Sequence, residues 1–153
     1  MIKLLTMSQL GVISYCAEEC RRQESGELSV YWMVNAYQYL AEQTFAPRRL
    51  PITMQDVENL YALVEPKKNR NGFRVTNVVV AGKVIPWENI RRQMEQLLAV
   101  QNDLTPVEFY KEFEEIHAGA DGNGRVGSLL FNYLSNTMTY PAAPPDVFAN
   151  SAR

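Results

Sequence analysis

Apolar residues return with the period of an α-helix along most of this chain, and that rhythm constrains the fold more than any other feature. Leu28, Tyr31, Trp32, Asn35, Ala36, Tyr39 and Leu40 follow the i, i+3, i+4, i+7 spacing of one buried face. Thr53 precedes a second stripe of Val57, Leu60, Tyr61 and Val64, and Pro86-Trp87 leads into a third of Ile90, Met94, Leu97 and Leu98. Thr105-Pro106-Val107-Glu108 reads as a helix start, with a capping threonine, a first-turn proline and a glutamate to close a capping box. Phe109, Phe113 and Ile116 then face inward, and Val126, Leu129, Leu130, Tyr133 and Leu134 form the last stripe. A weaker pattern extends helix into the first 24 residues.

One segment breaks the rhythm. Arg74-Val75-Thr76-Asn77-Val78-Val79-Val80 is β-branched, and Ala81-Gly82-Lys83 offers a turn before Val84-Ile85. Two strands alone are marginally stable, so a hairpin over about residues 74–85 must lie against helices. The fold class is therefore mainly α, a helical bundle with one short β-hairpin. Residues 1–140 read as a single domain, and 141–153, opening Pro141-Ala142-Ala143-Pro144-Pro145, as a proline-rich surface tail.

A chain of 153 residues fits one domain and can build a core without metal or disulfide staples. Its net charge of −2 gives no general reason to bind nucleic acid or an anionic membrane, so any polyphosphate must be attracted by local geometry. Cys16 and Cys20 stand four apart, on one helix face, and read as small buried side chains. A zinc site does not fit, with no second cysteine pair and the one histidine far away in sequence. No apolar run reaches the roughly 18 residues of a membrane span, and the N-terminus lacks a signal peptide's layout. A reducing cytoplasm is the expected location. Aromatic residues such as Tyr31, Trp32 and Tyr39 exceed what one small helix face must bury, which leaves room for a homo-oligomer.

The chemistry is concentrated in His117-Ala118-Gly119-Ala120-Asp121-Gly122-Asn123-Gly124-Arg125, between two apolar helices. Its glycines let backbone N–H groups approach a ligand, and the helix that follows offers free N–H donors at its positive end. Together these suit phosphate oxygens. Arg125 can fork onto phosphate or an acidic neighbour, and Asp121 supplies hard oxygen of the sort Mg²⁺ takes alongside substrate phosphates. His117 has the pKa range of a general base. Plainer readings stand beside these. Asp-Gly and Asn-Gly are common turn formers, and a lone histidine is structural more often than catalytic. An EF-hand calcium loop fails on register, and a P-loop fails for want of Gly-Lys-Ser/Thr.

His-x-x-x-Asp-Gly-Asn-Gly-Arg in this setting resembles the signature of the Fic (Fic/Doc) family. The likeness extends to Gly72-Phe73-Arg74 with Val78 to Val80, Gly82 and Pro86, similar to the Fic hairpin flap, and to Leu129 through Leu134, similar to the helix after the signature. It covers about residues 24–136. The resemblance implies a Fic-like helical bundle that transfers AMP from ATP onto a Ser, Thr or Tyr hydroxyl of a target protein. It makes His117 the base, gives Mg²⁺ to Asp121 and the phosphates to Gly122, Asn123, Gly124 and Arg125, and docks the target strand on the flap around Val78, Val79 and Val80.

The signature is degenerate at two places. Gly119 stands where the family has an anchoring Phe, which predicts a less rigid loop. Ser128 stands at the phosphate-binding position of a second arginine, and a hydroxyl brings neither charge nor a forked donor set. The family's inhibitory glutamate has a counterpart in Glu24 of Cys20-Arg21-Arg22-Gln23-Glu24-Ser25, although a solvated helix-end acid is the favoured reading. Two rivals to AMP transfer follow: an impaired domain that binds nucleotide or protein without catalysis, and a relative that transfers UMP, phosphocholine or a terminal phosphate.

Overall fold

Capping chemistry sets two of the helix starts. The Thr53 side chain accepts the Asp56 N–H while the Asp56 carboxylate accepts the Thr53 N–H, a reciprocal box that opens the helix Met54–Val64. The Thr105 side chain accepts the Glu108 N–H, with Pro106 in the first turn, and opens the helix Pro106–Ile116. The computed structural model describes residues 7–44 and 49–147. Its elements in chain order are α1 (Met7–Arg22), α2 (Glu27–Thr44), α3 (Met54–Val64), β1 (Val78–Val80), β2 (Lys83–Ile85), α4 (Ile90–Ala99), α5 (Pro106–Ile116) and α6 (Asn123–Leu134). The mainly helical class with one hairpin is what the periodicity predicts. The N-terminal residues 1–6 and the end of the tail, 148–153, lie outside the described residues.

The bundle is organised around α6, of which ten of the twelve residues are buried. It packs against α1, α2, α3 and α5, so it can be apolar on several sides. The stripes read for α3, α5 and α6 all reach the core, as do Ile90, Met94 and Leu97 of α4 and both unpaired cysteines. In α2 the face differs. Ser29, Met33, Ala36, Tyr37 and Leu40 are buried, while Leu28 and Tyr31 are 63% and 66% exposed. The helix carries apolar residues all round, so periodicity alone does not single out a face.

The strands are antiparallel, pairing Val78 with Ile85, Val79 with Val84 and Val80 with Lys83. Ala81 and Gly82 both have positive φ, 50° and 78°, the geometry of a tight two-residue hairpin turn. The ladder starts at Val78 rather than Arg74, because Arg74 is taken by the loop between α5 and α6: its N–H donates to the Ala118 carbonyl at 3.0 Å. Beyond α6, Ala142 is tied by its N–H and carbonyl to the Asn132 side chain. Among the described residues no helix is long and apolar enough to cross a membrane.

Candidate functional site

The loop from α5 to α6 is bounded by two left-handed residues, His117 at φ 50° and Gly122 at φ 82°. Between them it is held by two asparagines. The buried Asn123 side chain donates to the Gly119 carbonyl at 3.0 Å and accepts the Gly119 N–H at 2.9 Å. Asn69 donates to the Asp121 carbonyl at 2.9 Å and accepts the Ala120 N–H at 3.1 Å. Tyr61 completes the arrangement from α3, its hydroxyl donating to Asn123 Oδ1 at 2.7 Å.

The space beside Gly119 is filled from another element. Gly119 is buried, and a Cβ there would lie 2.4 Å from the Tyr61 ring. That ring, fully buried and stacked on Phe113, occupies the space a side chain at 119 would need. The anchor has moved from the loop to α3.

At the start of α6 no side chain caps the helix, so the N–H groups of Asn123, Gly124 and Arg125 have no acceptor within it. Asp121 stands beside them. One carboxylate oxygen takes the Gly122 N–H at 2.8 Å, and the other takes Lys68 Nζ at 2.9 Å. Burial would raise its pKa, but the Lys68 bond, the Gly122 N–H and the Arg125 charge together hold it below the usual carboxylate value. The Arg125 guanidinium is 2% exposed, donates to the Val64 carbonyl at 3.0 Å and lies 3.6 Å from Asp121. Its Nε is buried without a partner. Over Gly124 lies the Gln23 carboxamide, whose oxygen is 2.1 Å from where a Cβ would project.

His117 is half-buried at the end of α5. Burial first, and repulsion from Arg74 second, lower its pKa, against the opposing effects of a hydrogen bond to the Glu114 backbone and the Asp121 charge. A neutral imidazole at pH 7, able to accept a proton, follows from that direction.

The loop contributes to two openings. On one side a cavity of about 320 Å³ is lined by Asp121, Arg125, Lys68, Glu24 and Gln23. On the other a groove of about 980 Å³ runs along the hairpin and α5 with His117 in its wall. Thus Asp121, Arg125 and Glu24 line one opening and His117 the other, with the Asp121 charge still felt at His117. Of the flap residues Val80 lines the groove, Val79 is exposed and Val78 half-buried. Ser128 is not brought to either opening: it is fully buried and hydrogen-bonded to the Tyr15 hydroxyl.

In comparisons with known proteins, no family description matches the chain, and no curated protein is detectably similar in sequence. Solved structures do match. The structure of IbpAFic2 covalently tethered to Cdc42 superposes with a TM-score of 0.69 at 17% identity, over 99% of this chain and 55% of that one. The fold is Fic-like. The chain spans little more than half the length of that protein.

Within this Fic-like frame, four contributors escape sequence reasoning: Tyr61, Asn69, Arg74 and Gln23. Tyr61 reads only as one more core residue of a stripe. Arg74 reads as a strand residue, yet it is 5% exposed, and its guanidinium donates to the carbonyls of Thr76, Ile85, Pro86, Ile116 and His117. The one signal for it is a lone basic residue at the base of an apolar hairpin. Gln23 adjoins Glu24, the residue singled out in the sequence, and it is Gln23 that covers the loop.

Proposed function

We propose that the chain is a Fic-type nucleotidyltransferase that moves AMP from ATP to a Ser, Thr or Tyr hydroxyl of a target protein. What carries the reading is that one short loop holds the imidazole at its first residue and amides, carboxylate and guanidinium at its last residues, near enough for the Asp121 charge to act on His117. ATP enters the smaller cavity, and its phosphates meet the N–H groups of Asn123, Gly124 and Arg125. The Asn123 side chain stays with Gly119 and holds the loop in shape. Gln23 shifts off Gly124 as the phosphates arrive. The target lies along the hairpin by strand addition, which presents its hydroxyl to His117.

His117 takes the hydroxyl proton, the oxygen bonds to the α-phosphorus, and the bond from that phosphorus to the β-phosphate bridge breaks. Pyrophosphate leaves. Arg125 offsets the charge that grows on it. The residues present fit Mg²⁺ in a limited way: Asp121 supplies one carboxylate, half exposed at the cavity, and would hold the ion together with the phosphates once Lys68 gives way. The ion supplies charge neutralisation at the phosphates.

Labelled ATP, Mg²⁺ and cell lysate test this reading. Label is expected on a protein hydroxyl and is expected to vanish in His117→Ala. No label from the native chain or from Glu24→Gly counts against it. The buried Ser128 favours a second reading, a domain that binds nucleotide without turnover, since no second cation stands at that point of α6. Calorimetry with ATP and Mg²⁺ separates the two, as binding without label supports the second. The mass of any adduct distinguishes AMP from UMP, phosphocholine or phosphate.

A further inference from the structure

The groove on the hairpin side has a charge pattern of its own. Leu97, Val100, Leu104 and Ile116 give it an apolar floor. Along its α5 wall stand Glu112 and Glu115, both exposed and three residues apart, hence on one helix face. The α4 wall offers only the neutral amides of Gln93 and Gln96, and the hairpin adds Lys83. Among the described residues no ion pair engages Glu112, Glu115 or Lys83.

Helix physics disfavours acids at this place. The last turn of α5 holds no basic residue and ends Glu114-Glu115-Ile116, at the negative end of the helix dipole. Glu114 is turned inward, its Oε1 only 2.1 Å from where a Cβ of Gly127 would project. Glu112 and Glu115 remain as exposed acids on the groove wall at the unfavourable end of the helix, with Lys111 one turn before Glu115 as the basic neighbour on α5.

We propose that this groove binds an extended segment of the target protein carrying Lys or Arg two residues from the acceptor hydroxyl, selected by Glu112 and Glu115. The inference rests on the hairpin-docking reading above and adds a substrate class to it. Glu112 precedes His117 by five positions, about 7.5 Å along the helix axis. An extended segment advances about 3.3 Å per residue and returns to the same face every second residue, so a segment running along α5 with its hydroxyl at His117 puts its second neighbour beside the acids. Strand addition supplies affinity with little sequence preference, and the paired carboxylates supply the choice.

Two fluorescent Val/Thr-rich peptides with a single Tyr, differing only in Lys or Glu two residues from it, are titrated with the full chain by anisotropy. The Lys peptide is expected to bind roughly fivefold tighter at low salt. That advantage should disappear in the Glu112→Gln/Glu115→Gln variant and at high salt. Both changes are on exposed helix positions, and an unchanged unfolding transition shows that the variant folds. No nucleotide is present, so failure here is distinct from failure of ATP labelling, which reports on the loop. Equal binding, no binding of either peptide, preference for the Glu peptide, or a Lys preference that survives the double substitution would overturn the proposal. So would self-association of the chain that excludes both peptides.

Discussion

Arg74 Nε donates to the His117 carbonyl at 2.6 Å, which ties the base of the hairpin to the residue that ends α5. A guanidinium has five N–H donors, and here each reaches a backbone carbonyl of the hairpin, its flanks or the end of α5. Lysine keeps the charge but has one nitrogen, so Arg74→Lys leaves several partly buried carbonyls without their donor. The expected loss is about 2–4 kcal/mol in urea unfolding, with faster amide exchange across Val78–Val80. A change within about 0.5 kcal/mol of the native value would show that water can serve these carbonyls equally well.

Tyr61 and Gly119 share one volume, and a double-mutant cycle reads that directly. Gly119→Phe alone drives a ring into Tyr61 and should cost about 3 kcal/mol or more. Tyr61→Ala alone opens a cavity and removes the bond to Asn123, at about 3–5 kcal/mol. The double variant should recover about 1–3 kcal/mol of the summed losses, because the new phenyl ring fills the hole. Strict additivity would mean that the two positions do not compete for the same space.

The contrast between these sites shows what sequence can reveal. Stripes with an unambiguous face, such as Phe109, Phe113 and Ile116, were readable because periodicity and burial coincide. The glycine-rich loop stands out in the sequence because its glycines, Asp121 and Arg125 are adjacent in the chain. Tyr61 and Asn69 do not, since they reach the loop from 62 and 52 residues away and nothing local marks them. Arg74 escaped for a related reason: its partners are carbonyls, which every residue carries, so no complementary side chain announces them. The face of α2 was misread because apolar residues surround that helix.

Glu114 gives the protein a pH dependence of known sign. Burial first, and the Glu19 charge second, push its carboxyl up from 4.5 to about 8. The folded state therefore keeps a proton that the unfolded chain releases. Its contribution is fully present below pH 4.5 and is lost as pH rises through 8. Glu114→Gln stays neutral throughout, so its stability should lack this decline, with a relative gain of about 2–4 kcal/mol between pH 5 and pH 8. Parallel native and variant curves across that window would mean that the carboxylate ionises freely in the fold.

Glu24 holds a left-handed conformation, φ 54°, where helix termini prefer glycine. The Ser25 N–H reaches the Cys20 carbonyl at 2.8 Å and the Glu24 N–H reaches that of Arg21 at 3.1 Å, so the turn from α1 to α2 fixes that conformation. Glu24→Gly should therefore stabilise the chain by about 0.5–1 kcal/mol in urea unfolding. Glu24 also lines the cavity that holds Asp121 and Arg125, where on the proposed function its charge would oppose an incoming polyphosphate. The same substitution should tighten ATP binding roughly two- to fivefold at low salt, with less gain at high salt. Glu24→Gln separates the two effects: it removes the charge and keeps the backbone strain, so affinity should rise without a gain in stability. If calorimetry finds the Gln variant no tighter than the native chain, Glu24 is a helix-end acid with no influence on the nucleotide.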